Sequence, residues 1–398
     1  MVSAVAVAAA VTAAVAVPAS AGTARPGGSP AAHAETRAAL DAIVAAGTPG
    51  VLARVTEGRS RWSGTSGVAD LGTGQPRRPV DRFRIGSLTK PFTATVLLQL
   101  EAEGVLSLDD SVEDWLPGVV RGHGNDGRNI SLRQLLNHTS GIFNYNNDAG
   151  FLAKFTGKSF LTHRYDGATP EELVAIGLSH PPVFAPGTGW SYSDTNYILA
   201  GLVIERATGK SYASQVTRRI IKPLKLRATT VPGSSAAVPG PHGRHYSKLY
   251  DDDPDAAVHD VTEFNPSVAG AAGQIVSTTG DLNRFLRALL RGRLLPDEQL
   301  EEMLTGVPIG EEEGFPGRAD ADADTDADEG TAAYGLGLRS DTLSCGVTVW
   351  GHGGQVPGSL SRAAATREGD HVIAFNRNGD WGDQALEDAV LEAEFCDR

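Results

Sequence analysis

Strand-forming segments lie at both ends of this chain and helix-forming segments lie between them, so any sheet it builds must be completed by residues from opposite termini. Near the start, Gly50-Val51-Leu52-Ala53-Arg54-Val55 and the run Arg61 to Val68 flank a turn at Gly58 and read as a hairpin. Near the end, Thr348-Val349-Trp350, Leu360 to Thr366 and His371 to Asn376 read as strands, and Trp381 to Phe395 as a closing helix. Between them, Thr89 to Glu103, the segment opened by Ser131, Asn196 to Ala207 and Thr279 to Leu290 carry apolar residues at helical spacing, with caps at their starts or glycine at their ends. The predicted fold class is therefore α/β (α+β), an antiparallel sheet flanked by helices, with a large all-helical lobe inserted at about 91–290. A chain of 398 residues with 41 % hydrophobic content is long and apolar enough for such a core.

The first 21 residues are an Ala/Val-rich apolar run ending in Pro18-Ala19-Ser20-Ala21, which reads as a secretory signal peptide cleaved after Ala21. No Lys or Arg precedes that run, which leaves an uncleaved membrane anchor as the alternative. Residues 22–36 read as a flexible leader, and 37–398 as the folded domain. Export places the two cysteines in an oxidising compartment, where they are expected to pair. A Cys345 to Cys396 bridge would stabilise the fold by about 4 kcal/mol on the chain-entropy model. Two separate buried thiols are the alternative.

The net charge of −13 is mostly local, since Glu311 to Glu329 holds nine acidic residues and one arginine, net −8. The Ala-Asp alternation there has no apolar face, and residues 311–330 are expected to form a solvated loop. Asp320, Asp322 and Asp324 begin like a calcium loop, but Thr325 stands where glycine is needed and Thr331 where the bidentate glutamate is needed. No metal or cofactor is predicted, and an acidic chain excludes nucleic acid as the expected partner.

Three constellations carry chemistry. Ser87 lies three residues before Lys90 at the start of an apolar helix, a spacing that puts amine and hydroxyl on one face. A serine needs a neighbouring base to become a nucleophile, and Ser-x-x-Lys supplies one. Of the seven lysines only Lys90 has a serine at that distance, although a helix cap followed by a surface lysine is the plainer reading. Second, Tyr192 sits in Trp190-Ser191-Tyr192-Ser193-Asp194, a loop before a helix. Ammonium groups favour its phenolate, whereas a packed loop tyrosine is the alternative. Third, Trp350-Gly351-His352-Gly353-Gly354-Gln355 reads as a glycine-rich edge strand able to pair with a substrate and present an oxyanion-hole N–H. His352 could equally be a satisfied structural histidine.

In this order the motifs resemble those of penicillin-recognising serine enzymes, and within them the exocellular D-alanyl-D-alanine carboxypeptidases related to class C β-lactamases. The resemblance runs from about Ala39 to Cys396. It includes Asn137-His138-Thr139-Ser140-Gly141, the run Ala272 to Thr278, and Tyr334-Gly335-Leu336-Gly337-Leu338. It implies that Ser87 forms an acyl-enzyme, that Lys90 helps activate it, that Tyr192 shuttles protons, and that His352 replaces the lysine of related enzymes. The N–H groups of Ser87 and Gln355, beside Gly354, would form the oxyanion hole, and Arg339 would hold a substrate carboxylate. A strand-end surface arginine is the alternative for Arg339. Asp194 stands where the family pattern has Asn, replacing a donor by an acceptor and favouring an ammonium at Lys90. Gly353 and Gln355 replace hydroxyl residues.

The expected activity is that of a secreted, monomeric serine D-Ala-D-Ala carboxypeptidase or transpeptidase acting on peptidoglycan peptides and acylated by β-lactams. A β-lactamase or esterase of the same fold, and a non-enzymatic cell-wall-binding protein, are the alternatives.

Overall fold

The computed structural model describes residues 33–251, 253, 255–309, 332–383 and 385–396. The leader residues 1–32 and the acidic stretch 311–330, including Asp320, Asp322 and Asp324, lie outside the described residues. Eight strands form one antiparallel sheet: β1 (Gly50–Glu57), β2 (Ser60–Gly67), β3 (Val307–Pro308), β4 (Ala332–Tyr334), β5 (Arg339–Thr342), β6 (Thr348–Val356), β7 (Ser359–Thr366) and β8 (His371–Arg377). Their order is β2-β1-β8-β7-β6-β5-β4-β3, so β1 pairs directly with β8, with Val51 opposite Arg377 and Glu57 opposite His371. The two chain ends meet here as the sequence pattern requires.

Both faces of the sheet are covered, which follows from the two-residue period of β1. Val51, Ala53 and Val55 pack with Leu40 and Ile43 of α1 (Ala34–Ala45) and with Val390, Leu391 and Phe395 of the closing helix Ala385–Phe395. Leu52 points the other way, into the main core with Leu282, Phe285 and Leu289 of Thr279–Leu290. Residues 34–36 thus belong to a helix and not to a flexible leader, because Thr36 is buried and its hydroxyl donates to Glu394. Cys345 and Cys396 are bonded with their Cα atoms 5.7 Å apart, tying the end of the closing helix to the β5–β6 turn.

The inserted region is mainly helical, but it is not all-helical. Arg121–Gly122 pairs with Asn125–Asp126, Tyr246–Ser247 with His259–Asp260, and Val276–Ser277 with Phe83–Arg84. The last pair brings strand hydrogen bonding up to the residues just before Ser87. At the centre lies α2 (Lys90–Ala102), ten of whose thirteen residues are buried, so it is enclosed on nearly every side rather than amphipathic. Its Phe92 stacks on Phe285 with ring centroids 3.7 Å apart, a contact whose removal by Phe92→Ala would cost about 3–5 kcal/mol. Among the described residues no helix is long and apolar enough to cross a membrane.

Candidate active site

Ser87 lies on a 3-10 turn, Gly86–Thr89, that runs directly into α2. The turn approaches the β6 backbone so closely that a Cβ on Gly86, whose φ is +53°, would sit 2.6 Å from the Gln355 nitrogen. A Cβ on Gly354 would meet the Ile85 carbonyl at 1.9 Å, so glycine is required at both positions. This contact sets the Gln355 main chain against the turn that carries Ser87. The segment 350–355 is not an edge strand throughout: Val349 to Gly351 pairs with β5 as well as with β7. Only its continuation to Val356 lacks a partner strand on that side among the described residues, because β5 has ended.

Lys90 is fully buried, and its Nζ donates to Ser87 Oγ at 2.9 Å, Asp194 Oδ1 at 2.5 Å and the Ala272 carbonyl at 3.2 Å. An ammonium has three donors and no acceptor, and this one finds three acceptors. Burial pushes the Lys90 amine below its ordinary value, and the Asp194 carboxylate opposes that push. Asp194 begins the helix Asp194–Thr208, and its other oxygen accepts from the Asn146 amide. The asparagine-to-aspartate departure read in the sequence therefore places a carboxylate on the lysine itself.

Tyr192 precedes that helix, and the Lys90 Nζ stands 4.6 Å from its ring centroid, a cation–π contact that brings the tyrosine beside the Ser87–Lys90 pair. His352 on β6 is buried; its Nε2 bonds the Tyr334 hydroxyl at 2.9 Å and its Nδ1 the Gly353 carbonyl at 2.5 Å. Because a carbonyl only accepts, Nδ1 carries the hydrogen and Nε2 accepts from Tyr334. Burial, with the nearby Lys90 charge, lowers His352 to about 3, so it works as a neutral ring and not as a second cation. Arg339 lines the same cavity, but its Nε is bonded to Asp341 Oδ1 at 2.5 Å, and Asp341 also receives Arg362 at 2.9 Å. Burial raises the Asp341 carboxyl and the two guanidiniums more than offset it, so it stays charged.

These groups open onto a cavity of about 530 Å³ walled in part by aromatic rings: Phe151, Phe155, Phe160, Phe184, Trp190 and Phe264. All eight predicted catalytic and substrate-binding residues meet there: Ser87, Lys90, Tyr192, His352, Asp194, Arg339, Gly354 and Gln355. Four neighbours were not singled out individually from the sequence: Asn146, Tyr334, Asp341 and Arg362. Tyr334 lay in a recognised landmark; the other three have no local signal, since long-range contacts alone bring them in.

A family model described as Beta-lactamase matches residues 36–395. The chain is 30 % identical over 255 residues to penicillin-binding protein 4* of Bacillus subtilis (61 % of this chain, 52 % of that protein). It is 36 % identical over 184 residues to the esterase EstB of Burkholderia gladioli (46 % of each). It thus spans about half the length of the curated relatives it matches. Among solved structures, a D-stereospecific amidohydrolase from Streptomyces sp. superposes with a TM-score of 0.82 at 53 % identity, over 92 % of this chain and 99 % of that one. The D-amino acid amidase from Ochrobactrum anthropi SV3, complexed with D-phenylalanine, superposes with a TM-score of 0.76 at 29 % identity, over 92 % and 100 %.

Proposed function

Because the chain belongs to the beta-lactamase family and is a serine hydrolase of that fold, we propose that it cleaves amide bonds formed by the carboxyl group of D-configured, apolar amino acids through an acyl-Ser87 intermediate. The observation that carries the substrate class is the aromatic cavity beside Ser87, in which the guanidinium of Arg339 already has a carboxylate partner in Asp341. A bulky apolar side chain gains from that wall, and an amide leaving group needs no carboxylate-binding arginine. The names of the amidohydrolase and amidase neighbours agree with this reading.

In the proposed cycle, Ser87 Oγ attacks the amide carbonyl carbon while the Tyr192 phenolate takes the hydroxyl proton. The Lys90 ammonium donates to the serine oxygen and holds Tyr192 ionised. The Ser87 and Gln355 N–H groups receive the oxyanion. Tyr192 returns the proton to the departing nitrogen as the C–N bond breaks; water, deprotonated by Tyr192, then adds to the acyl carbon, and the Ser87 Oγ–C bond breaks as Tyr192 hands that proton back to Ser87 Oγ.

A D-Ala-D-Ala carboxypeptidase of peptidoglycan peptides, acylated by β-lactams, is the second reading, and the place of Arg339 at the cavity favours it. The apolar run at 1–21 supports export in either case. The deciding assay compares D-phenylalanine amide, L-phenylalanine amide and a diacyl-D-Ala-D-Ala peptide, with Ser87→Ala as control. Turnover of the D-amide above the other two supports the proposal. Release of D-alanine as the main activity overturns it in favour of the carboxypeptidase.

A further inference from the structure

Tyr192 lies on a loop, yet its reacting oxygen must be held to a fraction of an ångström, since misplacement by about 1 Å can lower a rate a hundredfold. We infer that His138 is the residue that positions it. The Ser191 N–H donates to the His138 carbonyl at 3.1 Å and the Ser193 N–H donates to the His138 Nδ1 at 3.2 Å. One residue thus holds the main chain on both sides of Tyr192. The imidazole also lies against the Tyr192 ring, with centroids 4.4 Å apart.

The protonation state of that imidazole follows from its neighbours. The Ser140 hydroxyl donates to the Asn196 Oδ1 at 2.7 Å, which orients the Asn196 amide so that its Nδ2 donates to the His138 Nδ1 at 3.3 Å. A nitrogen accepting from Ser193 and Asn196 carries no hydrogen, so the hydrogen is on Nε2. Nε2 is buried with no hydrogen-bond partner among the described residues, and the rings of Tyr197 and Tyr334 lie 5.3 and 4.8 Å from the imidazole. Protonating Nδ1 would break the bonds it accepts from Ser193 and Asn196, the first of them one of the two that hold the loop, and burial together with the Lys90 charge opposes it. His138 is therefore neutral and has no path to the substrate as acid or base. It is a positioning residue, and its φ of +63° is a backbone conformation that asparagine also adopts readily.

This inference rests on the Ser87–Tyr192 chemistry and not on the choice of D-amides. It is tested on p-nitrophenyl acetate, which reports the serine whichever amide is the substrate, with D-phenylalanine amide in parallel. His138→Asn keeps an acceptor two bonds beyond Cβ, where Nδ1 lies; His138→Leu removes it. For His138→Leu we expect kcat to fall by about 30-fold or more with KM within about threefold, and for His138→Asn a kcat within about fivefold of the parent. A wild-type kcat in His138→Leu, or equal losses in both variants at unchanged melting temperature, overturns the inference. Should His138→Leu not fold, His138→Gln, which displaces the acceptor by one methylene, replaces it. Gln then has to be slower than Asn at equal melting temperature, and equal rates overturn the inference. Ester turnover without D-amide turnover would sink the proposed substrate and leave this test intact.

Discussion

Replacing Asp194 by Asn distinguishes which group acts as the base. Asp194 Oδ1 lies 2.5 Å from the fully buried Lys90 Nζ, a separation at which full charges attract by roughly 7 kcal/mol at an effective dielectric constant of about 20. Asparagine keeps an oxygen acceptor there but removes the charge, and Lys90 can then lose its proton instead of remaining a buried unpaired cation. The loss of stability should accordingly stay near 2–3 kcal/mol, below the usual 3–5 for a broken buried pair, and lower the melting temperature by about 3 °C. The kinetic sign is sharper. Burial lowers the Lys90 amine and Asp194 counters it, so Asp194→Asn moves that amine further down. If Lys90 works as an ammonium that keeps Tyr192 ionised, activity ends where Lys90 loses its proton, and the alkaline limb of kcat/KM moves to lower pH. A pH–rate profile from pH 5 to 11 for both proteins checks this. An acid limb that moves down while the alkaline limb stays would show that Lys90 itself is the base and refute the reasoning.

Three further outcomes follow. The buried Glu394 accepts from His371 at 2.7 Å and from Thr36 at 2.6 Å beside His33; burial alone would raise its carboxyl, but these partners bring it from 4.5 to about 2. A depressed carboxyl contributes stability above its unfolded value and loses it as pH falls, so about 3 kcal/mol should disappear between pH 4.5 and 2, and denaturant midpoints for Glu394→Gln should show that loss already at pH 7. Converting Cys345 and Cys396 together to alanine opens a crosslink between residues 51 positions apart and should lower unfolding free energy by about 4 kcal/mol, read by urea titration. Asp341→Asn removes the carboxylate that neutralises Arg339 and Arg362, and KM for a diacyl-D-Ala-D-Ala peptide should fall by about threefold, the modest size reflecting partial exposure of Arg339.

The sheet could be read from sequence because its longer strands are short runs set off by glycine-containing turns, and the helices Asp194–Thr208 and Thr279–Leu290 because apolar spacing and their end residues agree. The helix Ala34–Ala45 was missed: it adjoins an Ala-rich leader of similar composition, and only packing against the sheet distinguishes it. The short pairs around 121–126 and 246–260 have too few residues to show any period. In the site, Ser87, Lys90, Tyr192 and His352 were readable because each sits in a compact motif. Asp194 was readable as a departure, but its 2.5 Å contact with Lys90 depends on how the helix Asp194–Thr208 crosses α2. Asp341 and the clamp formed by His138 depend on strand and loop placement across the fold, which no local pattern records.

The account stands on Ser87 as the nucleophile, and intact-mass spectrometry tests that most directly. The protein and its Ser87→Ala variant would be quenched in acid after incubation with benzylpenicillin and with D-phenylalanine p-nitrophenyl ester, and any adduct located by peptide mapping. One acyl group per chain, confined to the peptide containing Ser87 and absent from the variant, is the predicted result. An adduct on another residue, or undiminished turnover by Ser87→Ala, would contradict it.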